Sequence, residues 1–408
     1  MQTLSSNELI ITILALTLLL VSATLFGKIS ELLKIPKVVG EILGGLVLGM
    51  SCLGLIRPDI FDIIFNGYEA EHKVLDTFYQ IGLMILMFSS GYTTIIKVNK
   101  QNFKTYMLLL LGATIIPTII GIPFISIFST NFIGSSNNYV SYAIVFLISM
   151  SITSIPVISK IFFDINMMNT RYANMVLSVA TIQDLILWIA LNLATSVADG
   201  SELNTKRFVI TTLLTILLLV SVRLVESRTK YIHKYFRENK VGISVITLFV
   251  TVIILSKLSI NIMYSSFIAG CLVRALIGAD DTEVLKIKDI GFGVFIPIYF
   301  ALVGIKLDII HNFSLSRFIL FFIVAFGAEF IGTVLVMWFS KLSKQAVISL
   351  GITMNARGGP GIVLATTAYS CGIISIEFFT VLIITTMVSS AIAGYWLRIN
   401  RDSIKNEG

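Results

Sequence analysis

SMSITSIPVISK, residues 149–160, and MNARGGPGIVLATTA, residues 354–368, each interrupt a long apolar run. In the first, Ser151, Thr153, Ser154 and Pro156 form the interruption. Proline has no backbone donor and frees a carbonyl one turn earlier. Lipid offers that carbonyl no partner, so broken helices occur where protein or a water-filled cavity surrounds them. Freed carbonyls and hydroxyls are hard oxygen ligands suited to a small monovalent cation. The plainer alternative is a proline kink patched by Ser and Thr side chains. In the second stretch the breakers are Asn355, Arg357, Gly358, Gly359, Pro360 and Gly361. A matched pair of interrupted segments in the two halves of a chain points to a transporter's midplane site. Two half-helices crossing there bring opposed dipole ends together, and Arg357 is placed to compensate the negative ones. Its alternative is an interfacial arginine that snorkels. At about 1.5 Å per residue, however, it lies near mid-depth of its segment.

The surrounding chain is built for a membrane. Of its 408 residues 56% are hydrophobic and only 13% charged, against about 25% charged in soluble domains, and the mean hydropathy is +0.92. This excludes a soluble globular protein, a disordered chain and a nucleic-acid binder. A spanning helix needs about 20 mostly apolar residues. Thirteen such segments are expected, at roughly 8–26, 37–54, 77–96, 105–129, 139–160, 172–197, 208–225, 241–257, 262–278, 290–306, 315–340, 346–371 and 376–398. The fold class is therefore an all-α polytopic membrane protein with about 13 transmembrane helices. No Lys or Arg precedes the first segment and Glu8 stands at its start, which reads as a retained helix rather than a signal peptide. With the N-terminus outside and the C-terminus inside, 22 of the 30 Lys and Arg fall on the cytoplasmic side and seven outside, the asymmetry of the positive-inside rule. The most charged loop, ESRTKYIHKYFRENK at 226–240, is too short to fold alone. Short connections predict a single membrane transport domain over 1–408, with no regulatory domain. Cys52, Cys271 and Cys371 lie in apolar runs without metal-ligand spacing.

Four charges lie well inside the segments: Glu41, Asp184, Glu329 and Arg357. Each costs about 2.5–3.5 kcal/mol at the bilayer centre on insertion scales, and such residues mark ion or proton routes. Asp184, in ATIQDLILWIA beside Gln183, is the leading candidate. Desolvation favours the protonated form of a carboxylate, so a buried one can trade a proton for a cation near neutral pH. The alternative is an Asp acting as interhelical packing glue. Glu329, in AFGAEFIGTVL, either titrates or pairs with Arg357 on the next segment, and pairing is the cheaper way to keep both charges in the membrane. Glu41 follows Gly40 near a cytoplasmic end and reads as structural or as a vestibule charge. His72 and His311 fall in expected outer loops and His233 in a cytoplasmic one. No Ser/His/Asp set, phosphate-binding glycine loop or histidine-rich metal cluster is present in the sequence, so neither an enzyme nor a cofactor is expected. Gly44, Gly45 and Gly49 read as close helix packing.

With these residues in hand, the chain resembles the monovalent cation:proton antiporter family of bacterial sodium/hydrogen and potassium/hydrogen exchangers. The motifs are IPKVVGEILGGLVLG at 35–49, IGLMILMFSSG at 81–91, SITSIP at 151–156, QD at 183–184, FIPIYFALVGIKLD at 295–308 and MNARGGPGIVLA at 354–365. The resemblance implies an inverted-repeat fold with two crossing broken helices. It implies core helices at about 105–197 and 315–398, dimer or scaffold helices at about 8–96 and 208–306, a homodimer, and elevator-like alternating access in a multi-pass bacterial plasma membrane. Asp184 matches the essential ion- and proton-binding aspartate, and Thr153 and Ser154 match positions beside the crossing. Ser151 and Gln183 join the expected cation site, with Glu329, Arg357 and Asn355 as supporting groups. Three features depart from the family pattern. Gln183 stands where many relatives have the first of two adjacent aspartates; the Gln-Asp pair instead resembles the potassium efflux branch, whose usual nucleotide-binding domain is not expected here. Glu329 stands near the position of a common Lys, and Thr93 near that of a common acidic residue. The expectation is antiport of Na+ or K+ against H+, electroneutral because Gln183 cannot titrate. The alternatives are an organic-cation or drug:proton antiporter on the same fold, or a non-transporting membrane sensor.

Overall fold

In a computed structural model the protein is described over residues 4–33, 35–93, 103–168, 170–198, 239–258, 260–278 and 281–405. The expected segment 208–225, nearly all of the charged loop 226–240, and His233 lie outside the described residues. Among the described residues the chain is helical, apart from one isolated bridge between Ile133 and Ile374. Among the described residues nine helices are long and apolar enough to cross a membrane, and Tyr139–Ser149 and Ile262–Ile277 are shorter apolar helices. The helices Ser6–Leu32 and Lys240–Lys257 bury only 28% and 17% of their most apolar windows. Most of their apolar surface therefore faces outward, as a lipid-covered helix requires.

The structure redraws several expected boundaries. The second segment runs as Lys37–Leu48 and, after a short interruption, Leu53–Ile56, and the connection after it contains a helix, Pro58–Phe65. The third begins at Glu69, so His72 lies in a first helical turn and not in a loop. The fourth is not one uniform helix. It runs as Phe103–Leu110, a π-helical turn Leu111–Ile115, and Ile116–Gly121, followed by Phe124–Phe132. A second π turn, Gly291–Phe295, joins Thr282–Ile290 to Ile296–Ile305. Each π turn directly precedes an Ile-Pro pair, Ile116-Pro117 and Ile296-Pro297. The wider turn accommodates the proline ring that would strike the carbonyl four residues back.

The chain divides into two compact units. The first comprises Met1–Phe26, Glu41–Thr94 and Ser201–Lys306. Within it, glycines let backbones approach reciprocally. A Cβ on Gly91 would fall on the Phe267 carbonyl, and one on Gly270 on the Phe88 carbonyl, which joins Glu69–Thr93 to Ile262–Ile277. Gly45 and Gly304 do the same between Lys37–Leu48 and Ile296–Ile305, against Ala301 and Ile42. Between helices in lipid, such small-residue contacts maximise dispersion where no hydrophobic driving force operates.

The second unit comprises Gly27–Gly40, Ile95–Gly200 and Leu307–Gly408. It repeats one order twice: a long helical segment, a broken segment, a long helix. The first set is 103–132, 139–164 and 171–198, and the second is 315–337, 344–370 and 376–399. An aromatic cluster locks the two sets together. Phe132 stacks on Phe378 at 4.2 Å between centroids, and Phe321 meets Phe128, Phe146 and Phe378 edge-on. Beside it, Gly134 N and Ser136 N donate to the carbonyls of Ile373 and Gly372, and Ser375 N donates to Phe132.

Gly91→Val is expected to destabilise by about 1–3 kcal/mol through overpacking. Gly327→Ala, whose Cβ would meet nothing within 4 Å, is expected to be neutral or to stabilise by about 0.5–1 kcal/mol. Thermal melts of both variants in detergent check the contrast.

Candidate functional site

The site is built from the two breaks in the second unit. Helix Tyr139–Ser149 ends and Ile155–Asp164 begins with Met150–Ser154 between them, and Lys344–Met354 is separated from Gly358–Ser370 by Asn355–Arg357. Pro156 occupies the first turn of its half-helix, where the missing donor costs nothing. Ser154 caps that half-helix, its Oγ accepting from Val157 N at 3.4 Å. Gly358 takes φ +40 at the start of the other, and a Cβ there would strike the side chains of Val157 and Ser154. Only glycine suits that backbone at that approach.

Each break supplies what the other lacks. Ser154 N donates to the Ala356 carbonyl at 2.6 Å, and Thr153 Oγ1 donates to the Met354 carbonyl at 2.6 Å. In return, Arg357 donates through Nη1 to the Ser149 carbonyl and through Nη2, at 3.5 Å, to the Met150 carbonyl. These are the C-terminal carbonyls of the first half-helix, so the guanidinium sits on the negative end of its dipole. Gly358 N donates to Ser390 Oγ at 3.1 Å, and Asn355 Nδ2 donates to the Gly351 carbonyl at 2.9 Å.

Glu329 enters this crossing from Leu315–Met337. Its Oε2 lies 3.3 Å from Arg357 Nη2, with the two side chains 0% and 1% exposed. Its Oε1 lies 3.5 Å from Thr153 Oγ1. Glu329 thus pairs with Arg357, and the crossing holds a matched anion and cation. Tyr172 and Thr353 support it from below: their hydroxyls are 2.9 Å apart, and Thr353 Oγ1 donates to the Ser349 carbonyl at 2.6 Å.

Asp184 is placed differently. Its helix, Arg171–Ala198, packs against both halves of both broken segments. The Asp184 side chain is buried, 2% exposed, and its Oδ2 has no hydrogen-bond partner among the described residues. A buried, unpartnered carboxylate oxygen is costly unless a proton or a cation reaches it. Its neighbour Gln183 does have a partner: Nε2 donates to the Ala113 carbonyl at 3.0 Å. Ala113 lies four residues before Pro117, so this is the carbonyl that the proline deprives of its donor. Gln183 therefore ties the Asp184 helix to the π turn, while its Oε1 stays unpartnered. Ser151 is buried within the first break, and Thr93 donates to the Ser89 carbonyl of its own helix. Among the described residues no cluster of three or more His, Cys, Asp or Glu could hold a metal ion.

The structure thus gathers Thr153, Ser154, Glu329, Asn355 and Arg357 in one hydrogen-bonded crossing, and sets Asp184 and Gln183 on the helix packed against it. Sequence reasoning missed Tyr172, Thr353, Ser390 and the Ala113 carbonyl. Pro117, inside an apolar segment, was the available signal for the last.

Arg357→Ala is expected to cost about 3–5 kcal/mol, because it strands the Glu329 charge. Adding Glu329→Gln is expected to recover part of that loss, and a double-mutant cycle of detergent melts reads the coupling. Gln183→Leu is expected to cost about 1–3 kcal/mol by orphaning the Ala113 carbonyl, again read as a lower melting midpoint.

Residues 16–399 match the family model described as sodium/hydrogen exchanger, transmembrane. The cation/H(+) antiporter 15 of Arabidopsis thaliana is 25% identical over 93% of the chain and 47% of its own length. The chain therefore spans about half the length of the plant relatives it matches. The Na(+)/H(+) antiporter NhaS4 of a Synechocystis strain is 24% identical over 95% of the chain and 96% of its own length. The structure of the sodium proton antiporter MjNhaP1 from Methanocaldococcus jannaschii superposes with a TM-score of 0.64 at 20% identity, covering 98% of this chain and 99% of that one. That likeness carries the fold. With a family model over most of its length and, among the described residues, nine helices suited to crossing a bilayer, the chain is a multi-pass membrane protein belonging to the sodium/hydrogen exchanger family.

Proposed function

We propose that the protein is a secondary antiporter that exchanges a monovalent cation, Na+ or K+, for protons across a bacterial plasma membrane. Asp184 carries the exchange, binding either a proton or a cation and never both. The observation that carries this reading is a division of labour among the charges buried in the second unit. Glu329 and Arg357 neutralise each other at 3.3 Å, while Asp184 is buried with an unpartnered oxygen. A buried carboxylate without a counter-ion is stable when it holds a proton or a metal cation, and unstable when empty. That instability drives exchange instead of release. The Na+/H+ antiport named for the Synechocystis relative, similar over nearly its whole length, supports the same reading.

One titrating carboxylate implies one proton per cation and electroneutral exchange. Gln183 supports this, since an amide carries no charge in either state. Thr153, Ser154 and Ser151 stand beside the crossing as candidate oxygen ligands, with Asn355 as a supporting group. Alternating access would follow an elevator-like movement, with the chain acting as a homodimer in lipid and the expected thirteen spans running from an outer N-terminus to an inner C-terminus.

The test is proton flux in reconstituted vesicles, with sodium, potassium and lithium added in turn. Wild type is expected to show cation-triggered flux that does not change with membrane potential, and Asp184→Asn none. Flux surviving in Asp184→Asn would sink the scheme, and a dependence on potential would sink its electroneutral form. Silence with all three cations, together with flux driven by an organic cation, would favour the drug:proton alternative.

A further inference from the structure

A cavity of about 340 Å3 lies in the first unit, lined by residues of Pro58–Phe65, Glu69–Thr93 and Ile296–Ile305 and by the residues that follow two of these helices. It plays no part in the crossing. Its construction is two-sided. Phe61, Phe65 and Tyr79 are buried and make an aromatic floor, while Asn66, Asp76 and Lys306 are exposed and make a polar rim. Lys306 directly follows Ile305, the last residue of a helix long enough to span a bilayer, and Asp76 lies in the second turn of another, Glu69–Thr93. The cavity therefore sits at the depth of helix ends, where phospholipid headgroups meet the hydrocarbon.

The rim charges are opposite and are not bonded to each other. Lys306 Nζ stands 4.1 Å from the centroid of the Tyr79 ring. Among the described residues it forms no ion pair with Asp76, and the Asp76 carboxylate accepts no hydrogen bond. Two opposite charges bonded directly would need no ligand. Held apart across a cavity with an apolar floor, they match a molecule that carries both charges itself.

We propose that this cavity binds an ammonium–phosphate zwitterion of the phosphatidylethanolamine type. The phosphate is taken by Lys306, which the Tyr79 face holds in place, the ammonium by Asp76, and the glycerol end by the aromatic floor. A phosphate accepts charge-assisted hydrogen bonds from an ammonium, and an aromatic face attracts a cationic group. The proposal is independent of the transport reading, because its readout is stability.

The experiment is a thermal melt of delipidated protein in detergent, with phosphatidylethanolamine or phosphatidylglycerol added at equal concentration. The expected result is a rise in melting midpoint with phosphatidylethanolamine alone, which falls by half or more in Lys306→Gln and in Asp76→Asn. Soluble phosphoethanolamine separates the sources. Stabilisation by it, lost in the same variants, supports a free zwitterion, whereas stabilisation only by the lipid supports a membrane-borne one. Equal stabilisation by both lipids, no stabilisation by either lipid or by phosphoethanolamine, or a rise unchanged in both variants would overturn the proposal.

Discussion

Hydrocarbon has no hydrogen bonds to give. A helix that stops midway through a bilayer leaves amides and carbonyls that only protein or enclosed water can satisfy, at several kcal/mol for each group left bare. Everything at the centre of this protein follows from how that demand is met. The break at 150–154 and the break at 355–357 satisfy each other, through Ser154 and Ala356, Thr153 and Met354, and Arg357 and the Ser149 and Met150 carbonyls. Glu329 then balances the cation that the arrangement had to bring in. The two breaks thus answer each other's freed backbone groups, and the charge of the crossing is balanced.

The charge balance of the crossing gives Asp184 its distinction. A carboxylate beside an unpaired arginine would hold a fixed ion pair and exchange nothing. Here the arginine is already occupied, and Gln183 is directed away to the carbonyl freed by Pro117. The two neighbours on one helix therefore have different tasks, one tying the helix down and the other left open.

Much of this was legible in the chain, because the decisive signals are local. Pro156 and the Gly-Gly-Pro-Gly run at 358–361 are helix breakers in any context, and a charge in an apolar run is conspicuous whatever surrounds it. The pairing of Glu329 with Arg357 was one of two open readings, and only their distance decided it. Other features were hidden for physical reasons. The helix Pro58–Phe65 and the first turns of Glu69–Thr93 are rich in acidic residues and do not resemble a membrane segment. A π turn differs from an α turn by one residue and leaves no periodic signature, although Pro117 and Pro297 marked both positions. The partner of Gln183 lies 70 residues away, beyond the reach of any spacing rule.

The mutual dependence of the two breaks also has a cost in time. Thr153 and its acceptor Met354 are 201 residues apart. At synthesis rates of about 5–20 residues per second, the first break waits roughly 10–40 s before its partner exists. During that interval its amides, its carbonyls and the negative end of a half-helix have no native partner. The nascent chain must then keep 139–164 sheltered, in the insertion machinery or at a wet interface, until the second broken segment arrives. A symmetry that serves the finished protein thus makes its first half an obligate client of whatever holds it during assembly.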